Sequence, residues 1–246
     1  MRIGLFGYGK MGRAIEQMAQ DQGDEIVWRI GSGNRAEADN PVFLRAADVV
    51  IEFSRPESAF ENVMACLQAG VPVVCGTTGW LDRLPQARAF CMERHGALLW
   101  ASNFSIGVNL FFALNRQLAR LMNAYPQYEP TVTEIHHTQK LDVPSGTAIT
   151  LTEDVVAALD RKEDWSMASQ PIGSSTVSVT ALREESVPGM HILRWNGPDD
   201  TITLTHEAHS RAGFAAGALL AARWIYGRHG IFSMEDVVNG SVGLKV

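Results

Sequence analysis

Short hydrophobic runs alternate with longer amphipathic segments over the first hundred residues. Five of these runs are typical of buried strands, at residues 2–7, 25–30, 48–53, 71–75 and 97–101. Apolar side chains at helical spacing lie between them, as at Ile15 and Met18 and again over 58–69 and 84–93. Because strands that alternate with helices form βαβ units with right-handed crossovers, we predict an α/β fold with a doubly wound parallel sheet of the Rossmann type. Its ligand is expected at the carboxyl ends of the strands.

The pattern changes after Asn109. A helical run over 110–122 leads to an alternating, strand-like segment over 130–135, and a further helix follows. Alternation returns at 177–181, and the turn cluster Asn196–Asp200 separates two more predicted strands. We therefore predict a second, α+β domain that contains an open mixed sheet.

Three features are expected in the rest of the second half. Residues 161–175 carry no clear periodicity and are predicted to form a mobile loop. Residues 212–226 are rich in small apolar side chains and predict a helix, with Gly227 as its C-cap. Ser233 is a candidate N-cap for a short final helix.

Composition narrows the class of protein. The chain has 246 residues, of which 46% are hydrophobic and 20% charged, as in globular proteins. A net charge of −6 without a run of Lys or Arg gives no basis for a nucleic-acid or membrane partner. Three cysteines without a CxxC spacing indicate neither a disulfide framework nor a zinc site. No signal or membrane-spanning segment is visible, and we expect a cytoplasmic protein.

The first predicted strand runs into a Gly7-x-Gly9-x-x-Gly12 turn. In dinucleotide sites the first glycine permits a tight turn, the second lets the pyrophosphate approach the backbone, and the third lets helix and strand pack closely. The helix that starts near Lys10 would present free N–H groups to the phosphates. Because a strand precedes the motif and a helix follows it, we predict a dinucleotide site.

The residues after the second strand bear on the choice of nucleotide. An acidic residue there normally binds the ribose 2′-hydroxyl, but Ile30–Arg35 contains no carboxylate. Ser32, Asn34 and Arg35 could instead hold a 2′-phosphate, which favours NADPH or the use of both NADPH and NADH. The alternative is that Arg35 only caps a solvated loop. Further on, Gly76-Thr77-Thr78-Gly79 either lines the nicotinamide or substrate, or is an ordinary βα turn.

The segment Glu134–Thr147 carries the candidate chemistry. Its two adjacent histidines point to opposite sides of an extended chain and so need different roles. His136 titrates near neutral pH and suits proton donation, and Lys140 adds a positive charge or a second proton source. Ser145-Gly146-Thr147 would open a helix and form an anion-binding nest for a carboxylate.

A metal site is not predicted. His206-Glu-Ala-His209 resembles a zinc motif, but metalloprotease helices need their histidines four residues apart. A P-loop is excluded as well, because the Ser-Gly-Thr turn lacks the Gly-Lys-Ser/Thr signature.

Six motifs occur in an order that resembles the 4-hydroxy-tetrahydrodipicolinate reductase (dihydrodipicolinate reductase) family. They are Gly7-Tyr-Gly-Lys-Met-Gly12, Glu52-Phe-Ser-Arg-Pro-Glu57, Gly76-Thr-Thr-Gly79, Asn103-Phe-Ser-Ile-Gly107, Glu134-Ile-His-His with Lys140, and Ser145-Gly-Thr-Ala148. The resemblance covers most of the chain. It implies a dinucleotide-binding domain at 1–104 and 211–246, and a substrate-binding and oligomerisation domain at 105–210. It also implies a homotetramer assembled through the sheet domain, with substrate between two domains that close.

The resemblance implies a role for each matching residue. His136 would be the general acid, with Lys140 as its charge or proton partner, and His137, Ser145, Gly146 and Thr147 would hold the substrate carboxylates. The remaining residues would bind the dinucleotide: Gly7, Gly9, Lys10, Met11 and Gly12 at the pyrophosphate, Ser32 and Arg35 at the ribose, Gly76, Thr77, Thr78, Ala101, Asn103 and Phe104 toward the nicotinamide, and Arg211 where the chain re-enters the first domain. Thr78 is also a candidate substrate contact.

The family resemblance implies NAD(P)H-dependent reduction of 4-hydroxy-tetrahydrodipicolinate in lysine and diaminopimelate biosynthesis. The stretch 183–191 keeps only parts of the family's Arg-x-Gly…Gly-x-His pattern, and we expect this departure to affect loop and oligomer contacts more than the chemistry. One alternative keeps the fold with another substrate, as in aspartate dehydrogenase, and oxidation of L-aspartate would reveal it. Another is a non-catalytic dinucleotide sensor, which would not need a proton donor and an anion nest in one segment.

Overall fold

The computed structural model describes residues 1–31, 33–168, 173–210 and 212–242. The helices and strands, in chain order, are β1 (Arg2–Phe6), α1 (Lys10–Asp21), β2 (Glu25–Ile30), α2 (Pro41–Leu44), β3 (Val49–Glu52), α3 (Pro56–Ala69), β4 (Val73–Cys75), α4 (Leu84–Glu93), β5 (Ala97–Trp100), α5 (Ile106–Met122), β6 (Glu129–His136), α6 (Gly146–Ala158), β7 (Asp164–Met167), β8 (Thr176–Arg183), β9 (Met190–Asn196), β10 (Thr201–Glu207), α7 (Ala212–Ile225), β11 (Gly230–Phe232) and α8 (Met234–Val242). Short 3-10 helices occupy Arg35–Asp39 and Leu81–Arg83.

The chain divides into two compact units. The first comprises Met1–Ile106 and Ala212–Val246, and the second comprises Gly107–Arg211. The sequence predicts a dinucleotide-binding domain at 1–104 and 211–246, and a substrate-binding and oligomerisation domain at 105–210. These functional roles stay predictions.

The first unit is built on a six-stranded sheet in the order β11-β5-β4-β3-β1-β2. All five pairs of neighbouring strands are parallel. One hydrophobic cluster contains residues of α3 and α4, such as Val63 and Ala87, and another contains residues of α1 and α7, such as Ile15 and Leu219. Both clusters also contain strand residues, so the doubly wound parallel sheet that the sequence predicts is confirmed.

The second unit is built on a five-stranded mixed sheet in the order β10-β9-β6-β8-β7. The central strand β6 is antiparallel to β9 and parallel to β8. Side chains of β6 alternate between the two faces, and Val132 packs with Phe111 of α5 and Leu151 of α6. The predicted open mixed sheet is therefore present, and its central strand ends at His136.

One local prediction was wrong. The stretch 161–175, expected to be a mobile loop, contains strand β7, which pairs in parallel with β8 at the edge of the sheet. Its side chains are exposed or half-buried, so an edge strand of this kind carries no hydrophobic alternation from which it could be predicted. Residues 169–172 of the same stretch lie outside the described residues. Within the described ranges, no helix is long and apolar enough to cross a bilayer.

Candidate functional site

The turn after β1 contains three glycines, of which two are required by the packing of the chain and one is not. Gly7 has φ +86°, and a Cβ there would lie 2.0 Å from the carbonyl oxygen of Phe53. A Cβ on Gly12 would lie 2.3 Å from the carbonyl oxygen of Gly7, whereas a Cβ on Gly9 would meet no heavy atom within 4 Å. Packing within the chain therefore explains Gly7 and Gly12, and it leaves open space above Gly9.

The N-terminus of α1 faces this space. Gly9 is the N-cap residue, and no side chain caps the helix. The first N–H groups of an α-helix have no partner within the helix and attract anions. Lys10 in the first turn is exposed, and Met11 packs partly against the core. The arrangement suits a pyrophosphate.

The loop after β2 is held by Asn34. Its Oδ1 accepts a hydrogen bond from the N–H of Gly31 at 2.8 Å, and its Nδ2 donates to the carbonyl of Arg29 at 2.9 Å. The Arg35 guanidinium lies 5.9 Å from the centroid of the Phe6 ring and 3.8 Å from the Asp39 carboxylate. Asn34 thus serves the fold of the loop, which leaves Arg35 as the predicted phosphate contact among the described residues of the loop. The predicted cofactor residues Ser32 and Arg211 lie outside the described residues.

The two threonines in the turn after β4 differ in burial and in their hydrogen bonds. Thr77 is buried, and its hydroxyl oxygen accepts a hydrogen bond from the N–H of Ser54 at 2.9 Å. Its carbonyl accepts from the indole N–H groups of Trp80 and Trp100. Thr78 is exposed. Of the two predicted contacts, Thr78 is therefore the one whose side chain is open to a ligand.

A buried carboxylate supports this turn. Glu52 accepts hydrogen bonds from the N–H of Ser54 at 3.2 Å, from the amide of Asn62 at 3.1 Å and from the thiol of Cys75 at 3.2 Å. The carbonyl of Glu52 accepts from the N–H of Gly76. The side chain therefore ties the carboxyl ends of β3 and β4 together, where a parallel sheet binds its ligand.

The loop after β5 is ordered by its own side chains. Asn103 Oδ1 accepts from the N–H of Ser105 at 2.8 Å, just ahead of α5. Phe104 is buried, with its ring edge-on to Phe53 at a centroid distance of 5.4 Å. Ala101 is half-buried.

In the second unit, the chemistry segment begins at the end of β6. Glu134 and His136 lie on the buried face of that strand, and His137 is half-buried after it. Helix α6 begins at Gly146, and the Ser145 hydroxyl accepts a hydrogen bond from the N–H of Ala148 at 3.2 Å. The predicted helix N-terminus is therefore present, and its N-cap is Ser145, which the sequence predicts as a substrate contact.

Glu134 is the centre of a buried polar cluster. Its carboxylate is fully buried and accepts a hydrogen bond from the N–H of Ser145 at 2.9 Å. Both terminal nitrogens of Arg183 donate to its Oε1, at 3.3 and 3.4 Å. The Nδ1 of His136 lies 3.4 Å from Oε2, and the Nε2 of His191 lies 3.9 Å from it.

Sequence reasoning did not assign Arg183 and His191 to this site. It associated the stretch 183–191 with loop and oligomer contacts, yet both of its ends lie in the Glu134 cluster. The register explains why: His191 on β9 pairs with Glu134, and Arg183 on β8 pairs with His136. His191 Nε2 also lies 3.1 Å from the Ser145 hydroxyl, and its ring is edge-on to that of His136 at 5.0 Å. The alternation of the predicted strands does not reveal which strands lie next to β6, so no signal in the sequence pointed to either residue.

Burial dominates the electrostatics of the two histidines. It lowers the pKa of His136 from its ordinary value, as do Lys140 and Arg183, while the Glu134 carboxylate acts in the opposite direction. Burial, reinforced by the charge of His136, lowers the pKa of His191 to about 3, so His191 is neutral at pH 7.

Lys140 is held by an acidic neighbour that sequence reasoning did not single out. Its ammonium lies 2.8 and 2.7 Å from the two carboxylate oxygens of Asp142. The hydrogen bond from Lys140 lowers the pKa of Asp142 below its ordinary value, so Asp142 is a carboxylate at neutral pH. Lys140 therefore brings a positioned charge to the segment.

The Glu134 cluster is accounted for without a metal ion. Glu134, His136 and His191 have candidate ligand atoms within 4.8 Å of one another. However, Arg183 and the N–H of Ser145 already satisfy the Glu134 oxygens, and a guanidinium beside them disfavours a second cation.

A Rossmann-type sheet with a glycine turn, together with a unit that carries a histidine and a helix N-terminus, defines a pyridine-nucleotide-dependent oxidoreductase. Two family models match the chain. The one described as "Dihydrodipicolinate reductase, N-terminus" matches residues 1–104, and the one described as "Dihydrodipicolinate reductase, C-terminus" matches residues 107–238. The chain belongs to the dihydrodipicolinate reductase family.

Individual relatives agree with this assignment. A 4-hydroxy-tetrahydrodipicolinate reductase from Christiangramia forsetii is 41% identical over 239 residues, which cover 97% of this chain and 98% of the relative. One from Thiobacillus denitrificans is 33% identical, with 100% and 99% covered. The solved structure of a dipicolinate-bound dihydrodipicolinate reductase from Paenisporosarcina sp. TG-14 matches with a TM-score of 0.75 at 22% identity, over 95% of this chain and 97% of that one. At that identity the structural match shows the fold.

Proposed function

We propose that this protein reduces 4-hydroxy-tetrahydrodipicolinate to tetrahydrodipicolinate, with NADPH or NADH as the reductant, in lysine and diaminopimelate biosynthesis. The observation that carries the proposal is the juxtaposition of His136 with a helix N-terminus: Glu134 lies 3.4 Å from His136 and accepts a hydrogen bond from the N-cap Ser145. The carboxylate of Glu134 thus contacts both the proposed proton donor and the residue that caps the proposed anion site. The names of the relatives supply the substrate.

The start of α6 is suited to a substrate carboxylate. Ser145 itself is engaged, since its N–H binds Glu134 and its hydroxyl caps the helix. The N–H groups of Gly146 and Thr147 belong to the first turn, which has no intrahelical acceptors for them. Gly146 is exposed, and a Cβ there would meet no heavy atom within 4 Å. A carboxylate can therefore approach the backbone closely. His137 and Thr78 are proposed as further substrate contacts from sequence alone.

The proton chemistry falls to His136 and Lys140. A bound nicotinamide would supply a hydride to the conjugated imine that forms when the ring substrate loses water. The resulting enamine needs a proton, which His136 donates in its imidazolium form. Lys140, fixed by Asp142, stabilises the negative charge that develops. General acid assistance of this kind is worth roughly 10²–10⁴-fold in rate.

The first unit would hold the dinucleotide. The proposed contacts to the pyrophosphate are Gly7, Gly9, Lys10, Met11 and Gly12, and those toward the nicotinamide are Gly76, Thr77, Thr78, Ala101, Asn103 and Phe104. Ser32 and Arg211 are proposed as further contacts from sequence alone. No carboxylate lies within Gly31–Arg35, and Arg35, 3.8 Å from Asp39, supplies a positive charge for a 2′-phosphate. We therefore propose that both nucleotides are used, with NADPH favoured.

A homotetramer assembled through the five-stranded sheet completes the proposal. Helices α5 and α6 contribute to the core on one face of that sheet. On the other face, Ile135 and Ile192 are half-buried and Leu182 is 42% exposed. Apolar side chains on an open sheet face are suited to a subunit interface. Native mass spectrometry would test the stoichiometry.

The test supplies the substrate enzymatically. The preceding synthase, with pyruvate and aspartate semialdehyde, would generate it in the cuvette, and the loss of nicotinamide absorbance would be followed with NADPH and NADH in separate reactions. We expect loss of absorbance that depends on both the synthase and this protein. No loss with either nucleotide would refute the proposal, and oxidation of L-aspartate instead would favour the aspartate dehydrogenase alternative. Arg35→Ala is the matched variant for nucleotide choice, expected to raise the KM for NADPH and to leave that for NADH unchanged.

A further inference from the structure

The proton donor of the proposed reaction occupies an unfavourable electrostatic position. His136 is 7% exposed, and burial disfavours its charged form. Lys140 and Arg183 add positive charge beside it, which disfavours the imidazolium further. A general acid must nevertheless carry a proton at the working pH. Some neighbouring group must offset these effects.

Glu134 is the group placed to do so. Its Oε2 lies 3.4 Å from His136 Nδ1, although within the described part of the chain that nitrogen has no aligned hydrogen-bond partner. Catalytic hydrogen bonds are often long in unliganded enzymes and tighten when substrate binds. The carboxylate cannot turn away, because the N–H of Ser145 holds Oε2 and the guanidinium of Arg183 holds Oε1.

The anchoring of Arg183 makes this arrangement rigid. Besides Glu134, the guanidinium donates to the carbonyl of Asp142 at 2.8 Å and to that of Leu182 at 2.8 Å. The strand register puts Arg183 next to His136 on β8. Arg183 therefore positions the carboxylate and at the same time limits how much negative charge His136 experiences.

We propose that Glu134 is a positioning residue for the proton donor: its carboxylate holds the Nδ1 side of His136 and stabilises the imidazolium, and Arg183 anchors that carboxylate. The inference rests on the proposed function, since it takes His136 as the acid. With Nδ1 held by Glu134, Nε2 becomes the nitrogen that donates the proton. A Cβ on Gly189 would lie 3.1 Å from Nε2, so the lack of a side chain at Gly189 leaves space beside this nitrogen.

The charged and titratable groups around His136 come from every element packed against it. Glu134 belongs to its own strand, Arg183 to β8 and His191 to β9, and the following loop contributes Lys140 and Asp142. Of these, Glu134 and Asp142 stabilise the imidazolium, and Asp142 is already bound to Lys140. Removing the charge of Glu134 would leave His136 facing two cations with little compensation.

Titration of His136 in the full-length protein tests the inference without substrate. Its imidazole resonance would be followed by NMR over pH and assigned from its loss in His136→Gln. In Glu134→Gln the amide oxygen can still accept from Ser145, but the charge is gone, and we expect the pKa of His136 to fall by about one pH unit. Glu129→Gln is the matched control: it removes a carboxylate from the far end of the same strand, where Glu129 pairs with Lys162, and should leave that pKa unchanged.

Kinetics give a second readout. Because the pKa of His136 already lies below its ordinary value near 6.5, a further fall of about one unit leaves about one tenth as much protonated enzyme at pH 7. We therefore expect kcat at pH 7 to fall about tenfold with little change in KM. The limb of the pH profile on which activity declines with rising pH should move to lower pH. Should Glu134→Gln fail to fold, Glu134→Asp gives a second test, because it withdraws the carboxylate from His136 Nδ1 by one methylene group and should also lower the pKa of His136.

The outcomes separate this inference from the proposed function. An unchanged His136 titration in folded Glu134→Gln, or in folded Glu134→Asp where the glutamine variant does not fold, would overturn the inference. If the wild-type protein reduces the dicarboxylate but the His136 titration is unchanged in Glu134→Gln, the inference fails and the proposed function stands. The expected shift in a protein without any turnover of the dicarboxylate would support the Glu134–His136 coupling and reject the reductase function.

Discussion

Replacement of Gly9 by alanine should weaken dinucleotide binding without destabilising the protein. Gly9 has φ −88° and ψ −152°, outside the left-handed region, and its Cβ would meet no heavy atom. Alanine reduces the entropy of the unfolded chain, which stabilises the fold by about 0.4–1 kcal/mol. Alanine is also a poorer N-cap than glycine, by about 0.5 kcal/mol. Because these effects nearly cancel, we expect a melting temperature within about 2 °C of wild type.

The same methyl group would stand where a pyrophosphate approaches the turn. The second glycine of this motif is needed because the phosphate comes close to its backbone. We expect the Kd for both NADPH and NADH to rise by about tenfold or more, which corresponds to about 1.4 kcal/mol. Isothermal titration calorimetry measures this for each nucleotide.

Gly12→Ala is the matched control in the same turn. Its Cβ would lie 2.3 Å from the carbonyl oxygen of Gly7, a backbone atom that cannot rotate away. Overpacking costs about 1–3 kcal/mol, and a clash with backbone belongs near the upper end. The better helix propensity of alanine offsets about 1 kcal/mol. A net loss of about 2 kcal/mol lowers the melting temperature by about 4–8 °C.

Comparison of Gly9→Ala with Gly12→Ala shows whether each glycine is needed for nucleotide binding or for folding. Thermal unfolding without ligand, followed by circular dichroism, should separate Gly12→Ala from Gly9→Ala and wild type. Wild-type nucleotide affinity in Gly9→Ala would refute the assignment of a close approach at this position. Equal destabilisation in both variants would show that Gly9 serves the fold, which contradicts the open space above it.

Three further outcomes follow from the second unit. His136→Gln and Lys140→Ala should each cut turnover, by about 10²–10⁴-fold for loss of the general acid, while calorimetry shows nucleotide affinity close to wild type; unchanged turnover in both would reject this assignment of the acid. Gly146→Ala should raise the KM for the dicarboxylate several-fold at an unchanged melting temperature, and an unchanged KM would argue against a carboxylate at that helix N-terminus. The folded-state pKa of His191, about 3, lies below the unfolded value near 6.5, so protonation favours the unfolded chain and stability is lost as the pH falls below 6.5. Between pH 7 and pH 5 this histidine should cost about 2 kcal/mol in the free energy of unfolding, and urea denaturation of His191→Gln should show a shallower pH dependence than wild type.

The sequence could predict what depends on local periodicity. Strand β2 and helix α4 have the bounds that were predicted, because each is a clear hydrophobic pattern between turn residues. Strand β7 could not be predicted, since at the sheet edge its side chains are not fully buried. The short strand β11, with three half-buried residues, gives no stronger signal.

The candidate site was predictable only where its residues are close in sequence. His136, Lys140 and the Ser145 turn lie within ten residues of one another. Arg183 lies 49 residues from Glu134 along the chain, and the pairing of β8 and β9 with β6 brings Arg183 and His191 to it. The order of strands in a mixed sheet is not encoded in the periodicity of any one strand, so these partners became identifiable only with the topology.

Glu134 connects the two halves of the proposed chemistry. The carboxylate that lies against His136 also accepts the N–H of Ser145, the residue that caps α6. A change that moves this carboxylate must therefore disturb the proton donor and the helix N-terminus together. Loss of the Ser145 hydroxyl alone would remove the cap and the contact with His191, but it would leave the backbone N–H on Glu134 in place. The proton donor and the anion site are consequently coupled through the main chain of Ser145, which explains how a fourteen-residue segment can position both.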